Sequence, residues 1–175
     1  LGIPATVFLV SGHMGGFLDH DDRCEEARLL TWDEARQLRQ AGITVGAHTR
    51  DHRRLATLDA DEQAEQITES RRMIAEQLGM TPAAFAYPFG SALDYAPATV
   101  DLVRAAGFAL AVSNRYGPVS HQDDRFELRR IWIDLSDTLG SFEAKVSGRL
   151  DALRWLDSRP GITARRTMNR LLGVR

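Results

Sequence analysis

Short apolar runs alternate with amphipathic helical patterns along most of this 175-residue sequence. The runs are rich in β-branched and aromatic residues, as is typical of strands buried on both faces: PATVFLV (4–10), ITVGAH (43–48), AAFAYPFG (83–90), FALAVS (108–113) and ELRRIWIDL (127–135). Strands separated by helices pair in parallel, because each return to the sheet crosses over through a helix. The alternation therefore predicts an α/β fold whose parallel sheet is either open or closed into a barrel.

The helical segments between these runs carry their own start and stop signals. Residues 31–42 open with Thr31 and Glu34 at the spacing of a capping box. Residues 59–79 open with acids and end at a glycine, as helices commonly do. Helical patterns are also predicted at three further places, 96–107, 141–157 and a basic segment at 162–175. We expect one domain over residues 1–158, followed by a basic C-terminal tail or helix over 159–175.

Composition excludes several classes of protein. With 43% hydrophobic residues, 26% charged residues and a net charge of -2, the chain has neither the basic excess of a nucleic-acid binder nor the composition of a disordered segment. No apolar run is long enough for a transmembrane helix. Cys24 is the single cysteine, so an internal disulfide and a cysteine-rich zinc site are excluded. This favours a reducing, cytoplasmic compartment, although an export signal could precede Leu1.

Two of the five histidines, His48 and His52, stand four residues apart directly after an apolar run. Imidazoles at this spacing lie on one side of a helical turn and could share a divalent ion. The alternative is that the pair only satisfies local hydrogen bonds at a helix start. Thr49 is expected to cap the turn, and Arg50 and Asp51 are expected to be solvated.

The segment AYPFG (86–90) ends another predicted strand. Pro88 interrupts strand pairing, and Gly90 allows a turn that could direct a main-chain N–H into a site. Ligands of parallel α/β folds bind at the carboxyl ends of strands, where both HTRDH (48–52) and YPFG lie. Such an N–H and a metal ion would together form an oxyanion hole, although Pro-Phe-Gly by itself is also common in plain turns.

Four segments together resemble the polysaccharide deacetylase (NodB-like) family of carbohydrate esterases. They are ATVFLV, LTWDEARQLRQAGITVGAHTRDHRRL, AFAYPFG and LVRAAGFALAVS, in this order and spacing, within residues 1–135. The most specific element is the His-Thr-x-x-x-His segment. The resemblance implies a distorted (β/α) barrel with an Asp-His-His site for a divalent metal, most often zinc. It also implies a hydrolase of non-peptide C–N amide bonds that removes N-acetyl groups from amino-sugar polymers.

Carried over residue by residue, the resemblance implies that His48 and His52 are metal ligands. Phe89, which follows the motif proline, would donate its backbone N–H to the tetrahedral oxyanion. Tyr87 and Pro88 of the same motif are implied to contact the substrate. The metal would polarise the acetamide carbonyl and activate a water molecule, and a carboxylate would act as the base.

The sequence departs from the family pattern in three places. The acidic pair that supplies the metal aspartate and the base is absent, so we expect an N-terminally incomplete fragment whose barrel lacks its first strand. Ala86 stands where many members carry an arginine beside the base, and Arg129 or Arg130 could supply that charge. No C-terminal Leu-plus-His segment provides an acid, and His121 is expected to be exposed. The loop acids match no family motif: Asp19, Asp21 and Asp22.

Three functions are consistent with these features. The leading hypothesis is a fragment of a metal-dependent deacetylase acting on a glycan, which alone would bind metal weakly and hydrolyse no acetylated chitooligosaccharide. The second is a degenerate, non-catalytic domain that binds a glycan or a partner protein. The third is a hydrolase of the same fold acting on a small amide or ureide. A barrel without its first strand would expose two sheet edges, so we expect marginal stability or completion by a partner chain, as in a homo-oligomer.

Overall fold

The computed structural model describes residues 2–18, 28–158 and 160–164. It contains a five-stranded sheet whose strands are β1 Thr6–Leu9, β2 Thr44–Ala47, β3 Ala84–Ala86, β4 Leu110–Tyr116 and β5 Leu128–Arg130. All four pairings are parallel, and the spatial order β1-β2-β3-β4-β5 follows the chain. The predicted α/β class is confirmed. Sequential parallel order is the order of a (β/α) barrel, and the outer strands of this described sheet are not paired with each other.

α-Helices and 3-10 segments lie between the first four strands and also follow β5. The helices are α1 Trp32–Gln40, α2 Ala60–Leu78, α3 Pro97–Ala105 and α4 Leu139–Val146, and the 3-10 segments are Ser11–His13, Leu55–Thr57 and Asp151–Asp157. The capping box predicted for α1 is present, since the Thr31 hydroxyl accepts the Glu34 N–H at 3.2 Å and Glu34 accepts the Thr31 N–H at 2.7 Å. α2 ends where Gly79 takes a left-handed conformation, φ 62°.

The core lies where α1, α2 and α3 pack against the sheet. Ile67 and Ile74 of α2 are fully buried, at the positions that the helical pattern assigns to its inner face. Phe85 in β3 is also fully buried, and its ring packs against those of Tyr87 and Phe108 at centroid distances of 5.3 and 5.2 Å. This packing holds the short strand β3 rigidly, and with it the AYPFG segment that follows.

The C-terminal part differs from the sequence prediction. The helix predicted over 141–157 is broken into α4 and the 3-10 segment Asp151–Asp157, because Gly148 between them has a left-handed backbone, φ 80°. The predicted strand at 127–135 is shorter, Leu128–Arg130. Several large apolar side chains of this part are exposed, among them Trp132, Leu135, Leu139, Phe142 and Trp155. The four arginines of the predicted basic tail (Arg165, Arg166, Arg170 and Arg175) lie outside the described residues.

The carboxyl ends of the parallel strands meet at one edge of the sheet. The HTRDH segment follows β2 there, and YPFG follows β3, the neighbouring strand. Within the described ranges, no helix combines the length and the apolar character that crossing a bilayer requires.

Candidate active site

The segment that follows β2 is anchored on both sides by the backbone. After β1, the N–H groups of Ser11 and Gly12 donate to the carbonyls of Thr49 and Arg50 at 3.2 and 2.8 Å. From the other side, the Arg50 N–H donates to the carbonyl of Gln66 in α2 at 3.1 Å. Gly12 is required here, because a Cβ at this position would lie 2.8 Å from the Arg50 carbonyl oxygen.

Arg50 and Asp51 are not solvated as expected but bound to this framework. Gln66, which is 2% exposed, donates to the Asp51 carboxylate at 2.7 Å and accepts the Asp51 N–H at 2.9 Å. Arg50 donates to the same carboxylate at 2.8 Å. Burial alone would raise the pKa of Asp51, but these hydrogen bonds from Gln66 and Arg50 bring it below its usual value. Asp51 thus fixes the turn.

The structure brings His48 and His52 together, but not by a helical turn. Their ring centroids are 4.7 Å apart, in an edge-to-face arrangement. The turn is tight because Thr49 and His52 both have left-handed backbones, with φ of 65° and 56°. The buried Thr49 hydroxyl donates to the His48 carbonyl at 2.6 Å and accepts the His52 N–H at 3.0 Å. Thr49 therefore caps the turn, as predicted.

The hydrogen bond of His48 determines which of its nitrogens can bind a ligand. Nδ1 lies 2.7 Å from the Ala86 carbonyl oxygen, which can only accept, so Nδ1 carries the hydrogen in the neutral ring. Nε2 is then the nitrogen with the lone pair. Burial, together with the nearby His52 and Arg130 charges, lowers the pKa of His48 to about 4. The ring is thus neutral near pH 7, as a metal ligand must be.

Phe89 occupies the opposite wall of the site. Its ring centroid lies 5.0 Å from that of His52, and its backbone is left-handed, with φ 60°. Asn114, within β4, donates from its side chain to the Phe89 carbonyl at 2.9 Å and from its backbone to the Gly90 carbonyl at 2.9 Å. These bonds continue the β3–β4 pairing beyond the last residue of β3 and hold the turn.

Backbone strain in the described residues is concentrated at this site. The non-glycine residues with positive φ within those ranges are Thr49, His52 and Phe89. A β-branched or aromatic residue in the left-handed region is unfavourable and persists only when the surrounding structure holds it. The strained residues thus lie in HTRDH and YPFG, the two segments that the sequence indicated for chemistry.

The neighbours of Phe89 in the motif are part of the core. Tyr87 is 1% exposed, its hydroxyl donates to the Phe126 carbonyl at 2.9 Å, and its ring stacks on Tyr95 at 4.0 Å. Pro88 is fully buried. The predicted substrate contacts of Tyr87 and Pro88 could therefore come only from their backbones in this arrangement.

Of the two arginines considered from the sequence, Arg130 is the one beside the site. It donates to the Ser113 carbonyl and to the Asn114 side-chain oxygen, both at 2.7 Å, whereas Arg129 donates to the Tyr116 carbonyl. His121 is exposed, as expected. Sequence reasoning missed the carbonyl of Ala86 and the Asn114 side chain, because neither belongs to a recognisable pattern.

The donor set available for a metal is two imidazoles. Across residues 2–18, 28–158 and 160–164, no three His, Cys, Asp or Glu side chains are grouped so as to hold an ion. His48 and His52 nevertheless fit a divalent metal such as zinc, because they are adjacent and His48 has the carbonyl-bonded Nδ1–H found in metal-bound histidines. The loop acids Asp19, Asp21 and Asp22 lie outside the described residues.

The polar and strained segments lie at the carboxyl edge of a parallel α/β sheet in sequential order, which is where proteins of the α/β class bind their ligands. The family itself is shown by sequence: a family model described as polysaccharide deacetylase matches residues 1–111. The chain therefore belongs to the polysaccharide deacetylase family, as its motifs predicted.

Known proteins of this kind are similar to most of the chain. YxkH of Bacillus subtilis (strain 168), provisionally named a polysaccharide deacetylase, is 21% identical over 145 residues, which are 83% of this chain and 47% of YxkH. The chain thus spans about half the length of this curated relative.

Two solved structures share the fold. The Streptococcus pyogenes deacetylase PplD, in complex with acetate, superposes with a TM-score of 0.68 at 22% identity, over 81% of this chain and 58% of PplD. BC0361, a polysaccharide deacetylase from Bacillus cereus, superposes with a TM-score of 0.66 at 19% identity, over 82% of this chain and 42% of BC0361. At these identities the likeness supports the fold, in agreement with the sheet described above.

Proposed function

We propose that this chain is part of a metal-dependent hydrolase that removes N-acetyl groups from an amino-sugar polysaccharide or oligosaccharide. The observation that carries the proposal is the meeting of His48, His52 and Phe89 at one edge of the sheet, with His52 and Phe89 in strained backbone conformations that the surrounding structure maintains. Family membership supports the same reaction class.

His48 and His52 would hold the ion in this proposal, and zinc is a metal that neutral imidazole ligands suit. A bound zinc ion would supply Lewis acidity to the acetamide carbonyl and would acidify a water molecule. The Ala86 carbonyl orients His48, and the Thr49 hydroxyl fixes the backbone of His52. Both imidazole rings are therefore oriented before the metal binds.

Phe89 would contribute its backbone N–H to the developing oxyanion, which is the role that the family motif implies. The left-handed turn held by Asn114 would set the direction of that N–H, and the Phe89 ring lies 5.0 Å from the His52 ring. An acidic pair outside the described residues would supply the third metal ligand and the base, because within the described residues no carboxylate is grouped with the two histidines.

Acetate release from N-acetylated chitooligosaccharides tests the proposal. The zinc-loaded full-length polypeptide, including any upstream acidic pair, is expected to release acetate, and His48→Ala or His52→Ala should reduce release to the level seen with a chelator. His121→Ala, at an exposed loop position, is the matched control and should retain activity. Chelator-resistant hydrolysis, or full activity in both histidine variants, would contradict the proposal.

A further inference from the structure

Two side chains contact the Phe89 ring. The His52 ring is one of them, with centroids 5.0 Å apart. The other is the guanidinium of Arg54, whose central carbon lies over the ring at 4.5 Å from the Phe89 centroid, within the range of a cation–π contact. Arg54 follows His52 by two residues, so one short segment supplies both contacts.

Arg54 is itself held by a buried acid. Its guanidinium forms an ion pair with Asp94, whose side chain is only 3% exposed, compared with 41% for Arg54. The other oxygen of Asp94 accepts the Ser91 N–H at 2.7 Å, and the Asp94 carbonyl accepts the Ala56 N–H at 2.9 Å. Asp94 therefore connects the loop after YPFG with the turn after HTRDH.

The backbone of Phe89 needs this kind of support. A phenylalanine at φ 60° adopts a backbone conformation that L-residues other than glycine disfavour. Asn114 holds the carbonyl side of the residue. That bond acts on the backbone, whereas the Arg54 guanidinium and the His52 ring contact the Phe89 ring itself.

We propose that Arg54 and Asp94 are a positioning pair: Asp94 holds the Arg54 guanidinium, which in turn holds the Phe89 ring beside His52. The pair would thereby keep the proposed oxyanion donor close to the proposed metal ligand. The inference rests on the proposed function for what is positioned, but the positioning itself is a property of the metal-free chain. Neither residue touches the reacting atoms in this account. Their effect passes through Phe89.

Nuclear Overhauser contacts between the Phe89 and His52 rings test the pair in metal-free protein labelled at Phe and His. Arg54→Ala removes the guanidinium, and Asp94→Asn removes the charge while keeping an acceptor for the Ser91 N–H. Arg53→Ala is the matched control, because Arg53 is the preceding residue and forms an exposed ion pair with Glu62 at 3.2 Å. Contacts between the Phe85 and Phe108 rings report whether the core is intact.

The Phe89–His52 contact is expected to persist in Arg53→Ala and to disappear in Arg54→Ala and Asp94→Asn, with the core contacts unchanged. Its full retention in Arg54→Ala would overturn the inference. If Arg54→Ala lost the core contacts as well, Arg54→Lys would be measured instead, because lysine can keep the ion pair with Asp94 but lacks the flat guanidinium. A weaker Phe89–His52 contact in Arg54→Lys would support the positioning role, and an unchanged contact would refute it.

Zinc titration separates this inference from the proposed function. Arg54→Ala is expected to raise the zinc dissociation constant about tenfold, as loss of outer support for a metal ligand commonly does. If Arg54→Ala lost the Phe89–His52 contact but kept the zinc dissociation constant unchanged, the claim that the pair supports the metal ligand would be refuted. If the wild-type chain bound no zinc at all, the proposed function would fail, whereas the ring contacts would still decide whether the pair positions Phe89.

Discussion

Gly90→Ala and Gly79→Ala form a matched pair that tests how the YPFG turn is built. Both glycines have left-handed backbones, with φ of 68° and 62°. Alanine in this region costs about 1 kcal/mol in backbone energy at either position. At Gly79 that is the whole expected cost, because no atom lies within 4 Å of where the new Cβ would stand.

At Gly90 the added Cβ would overlap with neighbouring backbone atoms. It would stand 2.6 Å from the backbone nitrogen of Asn114 and 3.2 Å from the Tyr87 carbonyl oxygen. These are backbone atoms of β4 and of the residue after β3, so they cannot rotate away as a side chain would. Overpacking of this kind costs about 1–3 kcal/mol in addition to the backbone strain. We therefore expect Gly90→Ala to cost about 2–4 kcal/mol in total.

Urea unfolding followed by tryptophan fluorescence measures both variants. Gly79→Ala should lower the free energy of unfolding by about 1 kcal/mol, and Gly90→Ala by at least twice as much, with similar denaturant slopes. Gly90→Ala should also shift the amide resonance of Phe89, whereas Gly79→Ala should leave it in place. Equal losses of stability in the two variants would refute the close approach of Asn114 to this turn.

Three further predictions concern the core, the HTRDH turn and the cap of α1. Phe85→Ala should lower the free energy of unfolding by about 3–5 kcal/mol, whereas Phe142→Ala, at an exposed position, should change it by less than about 0.5 kcal/mol in the same urea assay. Thr49→Val should cost about 1–3 kcal/mol by leaving a buried N–H without its acceptor, and Thr49→Ser should restore most of that loss. Hydrogen bonds, chiefly from Arg28, lower the pKa of Glu34 to about 2, so the stability from its ionised form is complete above its usual pKa of 4.5 and is lost as the pH falls towards 2. Glu34→Gln should abolish that part of the acid dependence in unfolding curves recorded at successive pH values, and an unchanged profile would contradict it.

The order and class of the elements were predictable because local patterns determine them. The Thr31–Glu34 box begins α1 and Gly79 ends α2, as their positions in the sequence indicated, and the sheet follows the chain order. The C-terminal part was less predictable, since a helical apolar pattern at 141–157 does not reveal that Gly148 will interrupt it. Its apolar residues are largely exposed, so burial gives that pattern little support.

The candidate site was predictable in part. The spacing of His48 and His52 indicated that their rings would meet, but it suggested a helical turn, and the structure uses two left-handed residues instead. Backbone strain of that kind leaves no mark in residue spacing, and the β-branched Thr49 is a residue that normally avoids the left-handed region. Arg54 and Asp94 were missed for another reason: they are far apart in sequence and meet only through the tertiary fold.

Zinc binding to the chain tests the central claim most directly. Competition titration with a chromophoric chelator should show one weakly bound zinc ion per wild-type chain, because only two ligands are grouped in the described residues. Binding should be lost in His48→Ala and in His52→Ala and should be retained in His121→Ala. Unchanged zinc affinity in a variant that lacks both His48 and His52 would contradict the assignment of this turn as the metal site.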